Sequence, residues 1–242
     1  MRWTSWVYSV AVLGACATGP ITSPPAGPHT ILLIGDSISH HAPHVGLGWP
    51  PGWDGETPPI PDSWGMAASE ASKDYAHLLA TTLSASLVIP YDDYDYTVQW
   101  VDVVDSLDDY DGVPTVIMVN VAEHFYSSVV TRLGDDDAID AWLDIVGAFA
   151  CDQGALPIWL GRYTPHRPSY PNNAWGVPAS NARLMAAAEK WGGLFVDISW
   201  PVNGKVGPAS ASTFDNWHPG DVGMQRIHDT IVARWTEEYG AP

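Results

Sequence analysis

Residues 30–39 read TILLIGDSIS. The run from Thr30 to Ile34 is apolar at every position after the first and too short for a helix, so it predicts a strand buried on both faces, as strands of parallel sheets are. Gly35 ends the run and permits a tight turn. Asp36 and Ser37 follow at once, which puts a hydroxyl at the rim of a sheet, where a substrate can reach it.

Four more short apolar runs are bounded by turn residues: Ser86–Ile89, Thr115–Val121, Leu156–Leu160 and Leu194–Ile198. Helical stripes lie between and after them. The clearest joins Ile139, Trp142, Leu143, Val146, Phe149 and Ala150 at spacings of three and four. Others join Tyr75, Leu78, Leu79 and Leu83, then Leu184, Met185, Ala188 and Trp191, then Met224, Ile227, Ile231 and Trp235. Strands alternating with helices predict right-handed crossovers and a parallel sheet covered on both faces, with ligands gathered beyond the carboxyl ends of the strands. Long irregular stretches, His40–Ser72 and Gly161–Val177, leave the first and fourth strands at that edge.

A serine hydroxyl is a poor nucleophile until a base takes its proton, and an imidazole oriented by a carboxylate is the usual solution. Both groups occur in Asp215-Asn216-Trp217-His218-Pro219, just before the last helical stripe. Three residues of separation let one turn set the carboxylate against one imidazole nitrogen and leave the other facing the serine. Taken alone, Gly-Asp-Ser is a common turn and Asp-x-x-His a common cap. Their positions, one after the first strand and the other between the fifth strand and the final helix, make them informative together.

With those two blocks and the continuation HPGDVGMQRIHDTI, the chain resembles the SGNH (GDSL-like) hydrolases from Thr30 to about Trp235. The resemblance implies a three-layer, flavodoxin-like α/β fold with a five-stranded parallel sheet. It also implies Ser37 as nucleophile, His218 as general base and Asp215 as its orienting acid, with no metal and no organic cofactor. Members normally place a Gly after the second strand and Gly-x-Asn-Asp after the third, to bind the oxyanion. This chain has PYDDYDY after Ile89, without a Gly, and counting from Pro114 sets Ala122-Glu123-His124-Phe125 on the second block. His124 then occupies the Asn slot, where an imidazole N–H can serve. Asn120 is the competing donor, and inside a strand it would need a buried partner.

Other clusters have simpler readings. His40, His41 and His44 lack the Cys or carboxylate spacing of a metal site. Asp92, Asp93 and Asp95 lack the Gly and distal Glu of a calcium loop. Asp135, Asp136 and Asp137 precede the Ile139 stripe, where negative charge suits a helix start. Trp49, Trp53, Trp64, Trp175 and Trp217 fall in loops, where flat rings can stack on sugars or fill a second core.

The chain has 242 residues, 46% hydrophobic and 16% charged, enough for one domain with a sizeable core. Its formal charge of −18 disfavours nucleic acid and anionic membrane surfaces. Arg2, the apolar stretch Trp3 to Leu13 and the sequence Leu13-Gly14-Ala15-Cys16 resemble a bacterial lipoprotein signal. The expected organisation is a signal peptide over 1–15, a lipidated Cys16 opening a tether over 16–28, and the hydrolase domain over 29–242. On that reading Cys151 is a buried, inert thiol, no disulfide forms within the chain, and the protein sits lipid-anchored in the bacterial cell envelope. The expected activity is ester hydrolysis through an acyl-serine, leaning to O-acetyl groups on carbohydrate. The alternatives are a lysophospholipase, thioesterase or acyltransferase using the same triad, and a catalytically weak surface binding lipoprotein. Oligomeric state is not legible.

Overall fold

The structure, a computed structural model, describes residues 21–35, 68, 70–88, 107, 112–122, 136–163, 173–199 and 219–242. Its strands are β1 (Thr30–Gly35), β2 (Ser86–Val88), β3 (Val116–Asn120), β4 (Leu156–Leu160) and β5 (Leu194–Val196). They form one sheet in the order β2-β1-β3-β4-β5, with every neighbouring pair parallel. All five expected runs are strands of this sheet. The described helices are α1 (Tyr75–Thr82), α2 (Asp136–Gln153), α3 (Asn173–Trp191) and α4 (Asp221–Tyr239), with a 3₁₀ turn at Ala71–Lys73 before the first.

The apolar residues of β1 divide by pleat, since successive side chains point to opposite faces. Ile31 and Leu33 join Met118, Ile158, Leu79 and Ile227 in the core beneath α1 and α4. Leu32 and Ile34 join Ile117, Trp159, Val146 and Leu184 in the core beneath α2 and α3. The chain is therefore three layers, helices on both faces of a parallel sheet. Burying each such aliphatic side chain contributes roughly 1.5–3 kcal/mol, which is why an uninterrupted apolar run stays in the sheet.

The helical stripes hold with two exceptions, the first being Leu78 of α1, which is only half-buried. Ile139, Trp142, Leu143, Val146 and Ala150 are buried along α2, as are Met224, Ile227, Ile231 and Trp235 along α4. In α3 Met185 is exposed, and Ala187 takes the core position between Leu184 and Trp191. No described helix is long and apolar enough to cross a membrane.

The amino-terminal stretch is partly fastened to this body. Gly193 N–H donates to Ile21 C=O at 2.8 Å, and the Ile21 N–H faces Trp191 C=O at 3.4 Å. Gly192 has φ +84, and a Cβ there would lie 2.3 Å from the Ile21 carbonyl oxygen. Only glycine lets the two backbones approach this closely. The expected tether over 16–28 thus includes a residue bonded to the domain. Trp191 packs its ring on Gly147 of α2, one turn before Cys151. Cys151 is half-buried and disulfide-bonded. This corrects the expected free, inert thiol and the expected absence of a disulfide.

Candidate active site

In the order β2-β1-β3-β4-β5 the chain leaves β1 toward one edge and returns to add β3 on the other side. The switch point therefore lies between the carboxyl ends of β1 and β3, and in open α/β sheets ligands bind in the crevice there. The last register pair of those two strands is Gly35 with Asn120. Ser37 follows Gly35 by two residues in the chain, and His124 follows Asn120 by four.

Two contacts tie helices to the same edge. Asn120 Nδ2 donates to Tyr75 Oη at 2.9 Å, joining the end of β3 to the first residue of α1, with both residues fully buried. Lys73 Nζ lies 3.3 Å from Asp221 Oδ2, joining the 3₁₀ turn before α1 to the first residue of α4. The start of α4 thus stands at the carboxyl edge, and His218 precedes it by three residues in the chain. Lys73 also pairs with Glu70 at 3.2 Å. Its ammonium donates to the Glu70 and Asp221 carboxylates, and these hold its pKa above the ordinary lysine value.

Asp74 caps α1. Its Oδ1 accepts from Ala76 N–H at 2.6 Å, and its Oδ2 lies 2.9 Å from His77 Nδ1. Asp74-x-x-His77 repeats the spacing of Asp215-x-x-His218, and here the capping role accounts for the buried carboxylate. Beyond β4 and β5, Asn181 of α3 accepts from Arg162 N–H through Oδ1 at 2.8 Å and donates through Nδ2 to Asp197 Oδ1 at 3.2 Å. Asp197 also accepts from Ser199 N–H at 2.8 Å. A Cβ on Gly161 would meet Asn181 Oδ1 at 3.0 Å, so the small residue after β4 lets the amide in. Arg162 is itself buried at this edge.

Ser37, His124, Asp215 and His218, like Cys16, lie outside the described residues. So do His40, His41 and His44, the acidic run from Asp92 and the tryptophans Trp49, Trp53, Trp64 and Trp217. Asn120 is described, and its amide has the buried partner that its place in a strand demands. Tyr75, Arg162 and Asn181 were not among the expected site residues. Tyr75 read as one more member of an apolar stripe, and nothing local signals a bond to a residue 45 positions away. Among the described residues no group of three or more His, Cys, Asp and Glu is arranged to hold a metal ion.

No protein-family model and no curated protein matches the chain. Solved structures do. LAE5, an alpha/beta hydrolase enzyme from the metagenome of Lake Arreo, Spain, superposes with a TM-score of 0.59 at 17% identity, covering 87% of this chain and 96% of that one. An active-site mutant of a family two carbohydrate esterase from Clostridium thermocellum gives 0.56 at 14% identity, covering 89% of this chain and 66% of that one. A variant of Axe2, an acetyl-xylooligosaccharide esterase from Geobacillus, gives 0.55 at 15% identity, covering 85% and 93%. The likeness is a distant one, of fold alone.

Proposed function

We propose that this protein is a serine ester hydrolase that removes short acyl groups, acetyl above all, from carbohydrate. The observation that supports it best is the Gly35–Asn120 pair at the switch point. The Gly-Asp-Ser block continues directly from one member of that pair, and the Asp-x-x-His block runs directly into a helix whose first residue is ion-paired at the same edge.

In this reading Ser37 Oγ attacks the ester carbonyl carbon while His218 takes its proton, and Asp215 orients and stabilises the imidazolium. The tetrahedral oxyanion is bound by the Ser37 backbone N–H and the His124 imidazole. Its collapse breaks the bond to the alcohol, which leaves with the proton from His218. Water then adds to the acyl-serine, giving its proton to His218, and the acid departs as Ser37 Oγ is reprotonated. None of these steps needs a metal or organic cofactor.

Carbohydrate is favoured over lipid for two reasons. Trp49, Trp53, Trp64 and Trp217 lie in expected loops, while Trp175, also expected in a loop, belongs instead to α3, and the charge of −18 repels anionic lipid surfaces. The named carbohydrate esterases share the fold, which adds an analogy without fixing the substrate. We place the protein outside the cytoplasm, because its first fifteen residues read as a leader and a structural disulfide persists only in an oxidising compartment. A sulfur in a disulfide carries no lipid, so the bonded Cys151 weighs against an anchor on Cys16.

The test is a substrate panel: an acetylated xylo-oligosaccharide, p-nitrophenyl acetate, a long-chain p-nitrophenyl ester and a lysophospholipid. Release of acetate from the first two, with little activity on the others, is the expected result. Preference for the lysophospholipid or the long chain would reassign the substrate class. Binding of the oligosaccharide without turnover of any ester would leave a binding protein.

A further inference from the structure

A buried amide and a buried phenol sit together in an apolar core at the carboxyl ends of β1 and β3. Asn120 and Tyr75 are each 0% exposed, and Asn120 Nδ2 donates to Tyr75 Oη at 2.9 Å. Around them the same face holds Leu33, Met118, Leu79 and Ile158. Such a bond contributes only about 0.5–1.5 kcal/mol net, and apolar residues of the same shape would do as well for stability. What an apolar pair lacks is direction. A hydrogen bond fixes the angle and distance between its elements, and here those elements are the end of β3 and the first residue of α1.

The location gives that direction a use. Asn120 is the register partner of Gly35, so the bond sits beside the strand end from which the Gly35-Asp36-Ser37 turn departs. The segment carrying His124 begins one residue after Asn120. We propose that Tyr75 and Asn120 form a positioning pair, which holds the ends of β1 and β3 against α1 so that the nucleophile and the oxyanion donors keep their relative geometry. Both side chains are fully buried, and their role in this reading is to position rather than to react. The inference rests on the serine hydrolase reading and adds to it two residues that the triad does not include. An error of about 1 Å in a reacting group can lower a rate by around 10²-fold, so a small slackening at this bond is expected to register in turnover before it registers in fold.

Tyr75→Phe removes the hydroxyl and keeps the ring. The measurements are kcat and KM on p-nitrophenyl acetate, the second-order rate of fluorophosphonate labelling, and Tm, with rates taken well below Tm at matched folded concentration. The expected result is a kcat about tenfold lower, KM within about twofold of wild type, and labelling slowed by a similar factor. Asn120→Val alone and combined with Tyr75→Phe completes a cycle. The double variant is expected to be no slower than the slower single, because the two act through one bond. A pair that merely stabilises the core gives lower Tm with unchanged kcat and labelling in the folded fraction, and that result overturns the inference. Should the Asn120 variant not fold, Tyr75→Phe decides alone. A wild type that neither labels nor turns over ends the hydrolase reading and this inference with it; a reactive wild type matched by Tyr75→Phe ends the inference only.

Discussion

Gly35 and Asn120 stand opposite each other as the last paired residues of the two central strands, and the Asn120 amide donates back into the core, to Tyr75. That bond engages one N–H of an amide that is itself fully buried.

In the proposed function the oxyanion donor is His124. Its replacement by Ala is expected to lower kcat by about 10²–10³ with little change in KM, the usual loss for one oxyanion donor. His124→Asn is expected to recover part of that rate, because an amide N–H can serve the same oxygen. Both are measured by steady-state kinetics at matched folded concentration. Equal turnover in wild type and His124→Ala would return the role to backbone amides or to Asn120.

Gly147 sits mid-helix in α2, where alanine ordinarily adds about 1 kcal/mol of helix stability. Here a Cβ would lie 2.2 Å from Trp191 Cγ. The ring cannot simply withdraw, because Trp191 Nε1 donates to Asp144 Oδ1 at 2.9 Å and the Lys190 ammonium lies 5.1 Å from its centroid. Overpacking of this kind costs about 1–3 kcal/mol or more. Gly147→Ala is therefore expected to lower Tm by several degrees in a calorimetric or circular-dichroism melt. A Tm equal to or above wild type would show that the α2–α3 contact is looser than described.

The disulfide at Cys151 gives a covalent prediction. Exported wild type is expected to show no reactive thiol until reduced, and its intact mass to lack any acyl addition. Cys151→Ser should expose one thiol and reduce stability by about 2–4 kcal/mol, the common range for a lost disulfide. Mass spectrometry with thiol titration reads both. An acylated amino terminus together with a free Cys151 would restore the lipid anchor.

Much of the architecture was legible because it rests on local pattern. Leu156–Leu160 is a strand over the expected residues, and Met224, Ile227, Ile231 and Trp235 face the core as their spacing implies. Departures have local causes too. β5 stops at Val196, two residues before the apolar run does, where Asp197 turns to accept from Asn181 and Ser199. Alanine is small enough to look neutral in a periodicity, so the spacing points to Met185 for the core face that Ala187 holds. The bonds Asn120 to Tyr75 and Asn181 to Asp197 join separate elements, and no periodicity encodes them. The proposed nucleophile and base rest on the sequence alone, on short blocks at fixed places along the alternation, beside Gly35 and before Asp221.

The most direct measurement is the rate of fluorophosphonate labelling in wild type, Ser37→Ala and His218→Ala, with the labelled peptide identified by mass spectrometry. Only an activated serine reacts quickly, and triad members act as a unit. The expected result is rapid labelling of wild type on Ser37, none at that peptide in Ser37→Ala, and a rate lower by several orders of magnitude in His218→Ala. Labelling of wild type at another residue, or an undiminished rate in Ser37→Ala, would contradict the account.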